Sequence, residues 1–189
     1  MNAPCLDENF SAVDFSQQKF PSSEFENCSF KDCNFAESNL QNFNFAECTF
    51  VNCDFSNALI SGTIFREDLF RNCKMLGLRF DLCNPFLLSF NFEECQLDFS
   101  SFFKLKLKGS RFKGCKMQQV DLSEADLKNA IFDTCVLTGA VFSNTDLEAA
   151  DFRTSYGFSI DPEENRINKA KFSRDNLEGL LHKYRLQIS

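Results

Sequence analysis

The stretch that decides the fold is Cys28-Ser29-Phe30-Lys31-Asp32-Cys33-Asn34-Phe35-Ala36-Glu37. It contains the same five-residue phrase twice: a small residue, a polar one, a phenylalanine and two further positions, polar except at Ala36. Stepping outward by fives gives Phe10, Phe15, Phe20, Phe25, Phe30, Phe35, Leu40, Phe45, Phe50, Phe55, Ile60, Phe65, Phe70, Met75 and Phe80. The series fails at Pro85 and resumes two residues out of phase at Phe92. It then runs through Leu97, Phe102, Leu107, Phe112, Met117, Leu122, Leu127, Phe132, Leu137, Phe142 and Leu147 to Phe152. All 28 of these positions are large and apolar in a chain that is 43% apolar, so a period of five is the primary structural signal.

Call each large apolar residue the centre, i. The position i−2 is small or medium at most repeats, as at Cys48, Ala58, Ser100, Ala125 and Thr145, and the remaining slots are mostly polar. On an extended backbone, residues two apart point the same way. Thus i−2 and i face inward and i−1 faces out. A continuing strand would bury i+2, which is polar here, so the chain must turn a corner every five residues. An α-helix does not fit, because its 3.6-residue turn does not divide into five. The chain must wind as a coil around an axial apolar core, and a sandwich of short strands gives no reason for one phase to persist over fifteen units.

Tandem units such as Cys28-Ser29-Phe30-Lys31-Asp32, Cys33-Asn34-Phe35-Ala36-Glu37 and Ala125-Asp126-Leu127-Lys128-Asn129 resemble the A(D/N)LXX units of pentapeptide-repeat proteins. The resemblance covers about residues 6–156. It implies an all-β solenoid, a right-handed quadrilateral β-helix with four pentapeptides per coil and about seven coils. At ~4.8 Å per coil the rod is expected to be roughly 35 Å long. Residues 1–156 are therefore read as the β-helix, with a phase break at 81–91. Residues 157–189 are read as a turn at Asp161-Pro162-Glu163-Glu164-Asn165, a last partial side at Ala170-Lys171-Phe172, and an α-helix capped by Ser173. Leu177, Leu180, Leu181 and Tyr184 recur at helical spacing, which predicts an amphipathic capping helix. In the family such a helix also builds a head-to-head homodimer. The stripe, with Leu186 and Ile188, is the candidate dimer surface.

Nine of the ten cysteines follow the i−2 phase. With four sides per coil, Cys33, Cys53 and Cys73 stack. So do Cys95, Cys115 and Cys135, and the two sets form one column if the break bulges outward. Neither a CxxC pair nor a suitably placed histidine accompanies them, so a metal centre is not expected. Disulfides are disfavoured by parallel Cβ vectors, and the thiols read as small core residues. Cys5 lies outside the pattern and is expected to be a free exposed thiol. No cofactor is implied. The single histidine, His182, lies off the apolar stripe and reads as solvated.

The amino terminus lacks a basic and apolar leader, and no run approaches a membrane span, so a cytoplasmic location is expected. The formal net charge is -7, which disfavours direct nucleic-acid binding. The charge is banded: residues 1–65 carry 9 acids and 2 bases, and residues 66–118 carry 6 acids and 10 bases. Residues 119–164 carry 10 acids and 2 bases, and residues 165–189 carry 2 acids and 6 bases. Lys104, Lys106, Lys108, Arg111, Lys113 and Lys116 form a basic collar. Asp121, Glu124, Asp126, Asp133, Asp146, Glu148 and Asp151 form the candidate partner-binding acidic surface.

The resemblance implies a non-enzymatic binding protein. It points to a rod that mimics DNA, occupies DNA gyrase or topoisomerase IV, and protects the enzyme from quinolones or other topoisomerase poisons. Carboxylates then stand in for phosphates. The alternative is a general protein-interaction scaffold, and an unbroken acidic face is what would separate the two. No nucleophile–base pair points to catalysis.

Overall fold

A computed structural model describes residues 3–86 and 88–186. The chain winds into a β-solenoid in which the polypeptide returns to the same side after 20 residues, one turn for every four pentapeptides. Its strands are short: β1 (Cys5–Leu6), β2 (Asn9–Ser11), β3 (Glu24–Glu26), β4 (Ser29–Lys31), β5 (Asn44–Ala46), β6 (Thr49–Val51), β7 (Ile64–Arg71), β8 (Ser89–Glu93), β9 (Arg111–Lys113) and β10 (Ile131–Asp133). All pairings are parallel. On one side Phe10 pairs with Phe30, Phe30 with Phe50, Phe50 with Phe70, Phe70 with Phe92, Phe92 with Phe112, and Phe112 with Phe132. Those pairings span six turn-to-turn steps among the described residues. Single bridges from Ile131 to Asp151 and from Asp151 to Lys171 carry the stack two steps further. The strand pairings of the described residues thus give about six turns, against the seven expected.

The period of five is built from one repeated backbone event. The residue at i+2 adopts the left-handed conformation at most corners, with φ of 52° at Asn27, 54° at Asp32, 60° at Asn42 and 56° at Asn52. Asn and Asp tolerate this region better than other side chains, which accounts for their abundance in that slot. Where glycine supplies the corner, the reason is space as well as φ. A Cβ on Gly62, at φ +72°, would run into the Asn42 side chain one turn below.

Within each turn the centres fill the interior as stacked and edge-on rings. Phe30 lies on Phe50 at 4.8 Å and 9°, while neighbouring sides meet edge-on, as Phe50 and Phe55 do at 5.2 Å and 78°. Both arrangements are favourable for the ring quadrupole.

The phase break falls where β7 meets β8. Phe70 pairs with Phe92 rather than with residue 90, and the register slips between Arg66 and Asp68. Beside this slip Phe86 is 69% exposed, while Leu88 packs partly against the core. The turn at 161–165 and the partial side at Lys171-Phe172 are also present: Asp161 Oδ1 accepts from the Glu163 N–H at 2.9 Å, and the Phe172 ring stacks on Phe152 at 5.5 Å.

The expected C-terminal α-helix is not found. The segment forms two 3-10 helices, Arg174–Leu180 and His182–Tyr184, closed by Arg185 at φ 50°. The cause is tethering to the last turn. Asn176 Nδ2 donates to the Ser155 carbonyl at 2.7 Å and to the Phe152 carbonyl at 3.3 Å, and the Ile160 N–H donates to the Gly179 carbonyl at 2.9 Å. Gly179 lies buried against Phe158 and is a poor α-helix former. Each bond draws a different part of the segment onto the rod, which a continuous α-helical stripe does not allow. Of the predicted apolar stripe, Leu180 packs partly on the core, Leu181 is half-buried, and Leu177, Tyr184 and Leu186 are exposed. Ile188 lies outside the described residues.

Candidate partner-binding surface

The polar residue at i−1 has a structural task that composition alone does not show. Asp54 Oδ1 accepts the Ser56 N–H at 2.8 Å, Asn34 Oδ1 the Ala36 N–H at 3.0 Å, and Asn39 Oδ1 the Gln41 N–H at 3.0 Å. Each closes an Asx-turn that starts the next corner. Four of the seven candidate acids do the same. Asp121 accepts from Ser123 at 2.9 Å, Asp126 from Lys128 at 3.2 Å, Asp146 from Glu148 at 3.0 Å and Asp151 from Arg153 at 3.2 Å. Part of the acidity of residues 119–164 is therefore a by-product of corner building.

The structure does not gather the seven acids on one side. Asp126 and Asp146 stack on one side, between Lys106 below and Arg166 above. Asp121 stacks on another, between Ser101 and Val141, and Asp151 on a third, between Ile131 and Lys171, with Asp133 beside it on β10. Most are also neutralised. Glu124 pairs with Lys104 at 3.3 Å, Glu148 with Lys128 at 2.7 Å, and Asp146 with Arg166 at 3.5 Å. Asp151 pairs with Arg153 at 2.7 Å and reaches Lys171 at 4.0 Å. The Arg153 hydrogen bond, more than any other influence, holds the Asp151 carboxyl below its usual range. Asp133 accepts from the Thr154 hydroxyl at 3.0 Å. Among the described residues, Asp121, Asp126 and Asp133 make no ion pair. Surface pairs stabilise little, about 0–1 kcal/mol each, but they cancel the field that a charge mimic needs.

The basic collar distributes itself over the sides in the same way. Lys106 lies under Asp126, Arg111 and Lys113 under Ile131 and Asp133, and Lys116 under Val136. The fourth side carries Arg79 one turn earlier, beneath Ser101. Each side of the rod is thus interrupted by a cation.

One feature of the surface escaped the sequence reading. On the Arg79 side, Leu59, Leu82 and Phe99 are exposed by 54%, 47% and 59%. A cleft of about 280 Å³ opens between Leu59, Ile60, Gly77, Arg79 and Leu82. Arg79 is held there as a bidentate fork on Asp81, at 2.8 and 2.6 Å. Burial works against the Asp81 charge, but the Arg79 hydrogen bonds keep its carboxyl below the ordinary value. The signal was present: Leu59 occupies an i−1 slot, and Leu82 and Phe99 occupy i+2 slots, that are polar at most other repeats.

The geometry has the signature of a five-residue repeat throughout, and sequence families agree. A family described as pentapeptide repeat region matches residues 86–180, and one described as pentapeptide repeats (8 copies) matches 9–35 and 28–66. The chain belongs to the pentapeptide-repeat family. No curated protein matches this pentapeptide-repeat chain. Among solved structures, it is similar to full-length QnrB1, a plasmid-mediated fluoroquinolone resistance protein. That likeness has a TM-score of 0.47 and 16% identity, covering 97% of this chain and 100% of that one. It is also similar to HetL, a pentapeptide-repeat protein involved in heterocyst differentiation regulation from the cyanobacterium Nostoc. There the TM-score is 0.45 at 14% identity, with 89% and 86% covered.

Among the described residues no helix is long and apolar enough to cross a membrane, and no cluster of three or more His, Cys, Asp or Glu is arranged to hold a metal ion.

Proposed function

We propose that this pentapeptide-repeat protein is a non-enzymatic binding rod that acts as a protein-interaction scaffold, homodimeric through its C-terminal cap. The observation that carries this reading is the charge pattern: the acidic bands are split over three sides, largely ion-paired, and crossed by the basic collar. Exposed Leu59 and Leu82, which line one cleft with Arg79 where it forks onto Asp81, offer an apolar anchor with a polar rim, the composition that protein interfaces favour. Support for dimerisation comes from the cap, where Leu177, Tyr184 and Leu186 remain exposed. The interior is filled by the stacked centres, consistent with binding at the surface rather than chemistry inside.

The alternative is a DNA mimic of gyrase or topoisomerase IV that gives protection from quinolones. It has the support of the family resemblance and of the net acidic band from Asp121 to Asp151. A gyrase supercoiling assay, with and without a fluoroquinolone, separates the two. The scaffold reading expects no inhibition and no protection at micromolar protein. Inhibition or protection that is lost on reversing Asp126 and Asp146 to Lys would establish the mimic instead. For the scaffold itself, chemical crosslinking in the native host should yield a partner with the wild-type rod and lose it with the L59E/L82E double variant. Light scattering at twice the chain mass supports the dimer, and a monomer at high concentration excludes it.

A further inference from the structure

Where the inward i−2 side chain carries a proton on sulfur, oxygen or nitrogen, it most often donates across the turn. It reaches back to the carbonyl of the residue 23 positions earlier, the centre one turn below on the adjoining side. Cys73 Sγ donates to the Phe50 carbonyl at 3.5 Å, Cys53 to Phe30 at 3.5 Å, and Cys135 to Phe112 at 3.3 Å. Hydroxyls do the same: Thr63 to Leu40 at 2.7 Å, Thr145 to Leu122 at 3.0 Å, and Ser155 to Phe132 at 2.7 Å. Thiols, hydroxyls and amides are alike in carrying a proton to give.

Asp68 occupies this slot, continuing the column of Cys28 and Cys48, and it is fully buried. Its Oδ1 accepts the Cys48 N–H at 2.8 Å, while its Oδ2 is buried without a hydrogen-bond partner. Asn165 shows what the slot expects of such a side chain. Asn165 Oδ1 accepts the Thr145 N–H, 20 residues back, at 2.9 Å, and its Nδ2 donates to the Phe142 carbonyl, 23 residues back, at 3.0 Å. Cys48 stands to Asp68 as Thr145 stands to Asn165. The carbonyl that corresponds to Phe142 is that of Phe45. An ionised carboxylate can only accept, so it meets that carbonyl with like polarity in a water-free interior. A protonated acid reproduces the amide's pattern, one oxygen accepting and the other donating.

We propose that Asp68 is carried in the folded rod as a neutral carboxylic acid donating to the Phe45 carbonyl, and that this makes the phase-break joint between β7 and β8 pH-sensitive. The location matters. Asp68 sits at the register slip, opposite Phe90 of β8, where the rod's two in-phase halves are joined. The titratable groups around it are Arg66 and Glu67 on its own strand and Cys48 on the turn below. On β8 there is Glu93, which is engaged by Arg71 at 2.8 Å. Burial lifts the Asp68 carboxyl well above its ordinary value, against the opposing pull of the Cys48 and Arg66 N–H groups and the Arg66 charge.

The sign follows. A carboxyl whose folded-state affinity for a proton exceeds its unfolded one contributes stability that is complete below the ordinary Asp range, about pH 4. That contribution is lost as pH rises toward ionisation of the folded acid. Over this window one proton's difference weakens the folding equilibrium about tenfold per pH unit. D68N supplies the amide that Asn165 already uses and has no proton to lose.

The experiment is thermal unfolding of the full chain and of D68N across pH. The expected result is that the wild-type Tm falls relative to D68N as pH rises above about 4, with D68N the more stable at neutral pH. A gap between the two that is constant with pH, or that widens toward acid, overturns the proposal. Infrared spectroscopy at neutral pH gives a second reading. The wild type should show a protonated-carboxyl C=O band that D68N lacks, and its absence from the folded wild type also overturns the proposal. If D68N does not fold, D68C, which repeats the thiol of Cys28 and Cys48, takes its place in both measurements.

Discussion

The Phe35 and Phe55 rings lie face to face one turn apart, with centroids 4.4 Å apart and planes within 4°. Phe55 also meets Phe50 and Phe70 edge-on, at 5.2 and 5.7 Å. Phe55 is therefore packed on the ring below it and, edge-on, against two rings of one neighbouring column. Phe55→Ala removes a ring that nothing nearby can replace, because its neighbours are fixed by their own turns. The expected loss is about 3–5 kcal/mol, and Phe55→Leu, which imitates Leu97 and Leu137 in the same column, should cost markedly less. Chemical denaturation checks both. Because a solenoid is stabilised by nearest-neighbour interfaces, the Ala variant should also broaden the transition as the flanking turns uncouple.

The cap depends on the absence of one side chain. A Cβ at Gly179 would lie 2.6 Å from the Phe158 carbonyl oxygen and 2.6 Å from its ring. Neither the backbone nor a ring buried against Phe152 and Phe172 can retreat. Gly179→Ala should release the two 3-10 helices from the last turn, breaking the bond from the Ile160 N–H to the Gly179 carbonyl. The expected outcome is rapid proteolysis after about residue 173, with the rod itself intact. A variant that resists protease as the wild type does would show that the cap is held elsewhere. If the cap is the dimer surface, the same variant should run as a monomer.

The rod was legible because its code is local and repeated. Phe30, Phe50 and Phe70 announce the interior by spacing alone, and the out-of-phase Phe92 announces the register slip. What the sequence hid were relations between turns. The donor role of Cys73 toward the Phe50 carbonyl needs residues 23 apart to be neighbours, and no one-dimensional period displays that. The cap was misread because the stripe from Leu177 to Tyr184 fits an α-helix, whereas Asn176 and Gly179 are bound to the rod and tighten the segment into 3-10 turns. The acidic surface was misread in part because Asp121, Asp126, Asp146 and Asp151 count as charges in a sequence but act as turn braces in the fold.

The thiols should be inert while the rod is folded. All ten cysteines are free, and nine are buried, Cys5 being the half-buried exception. Burial, which disfavours the charged thiolate, lifts the Cys83 thiol well above its ordinary range. Burial above all pushes Cys48 up to about 12. Since the thiolate is the reactive species, an aromatic disulfide reagent at neutral pH should modify Cys5 first. The other nine should follow only as the rod opens. Fast modification of several thiols would mean that the column breathes. Cys73→Ser should be tolerated with a loss of about 1–2 kcal/mol, because serine keeps the proton that the Phe50 carbonyl accepts.

Acid should loosen the C-terminal cap before it unfolds the rod. Lys183 Nζ contacts Asp161 Oδ1 at 2.8 Å and Glu163 Oε2 at 2.6 Å, tying the second 3-10 helix to the turn at 161–165. The Lys183 hydrogen bond is the main cause that keeps the Asp161 carboxyl below its usual range. A depressed folded-state value means that the clamp contributes fully above the unfolded carboxylate range, and that this contribution disappears as pH falls through the folded one. Both groups are open to solvent, so the contribution is small and screened by salt. The consequence is local: protease cleavage within residues 181–186 should accelerate on acidification below about pH 4, and also in high salt at neutral pH. Lys183→Met should cleave rapidly at every pH and lose both dependences, because neither Asp161 nor Glu163 then has a cation to hold. Equal acid sensitivity in the wild type and in Lys183→Met would place the clamp outside this contact.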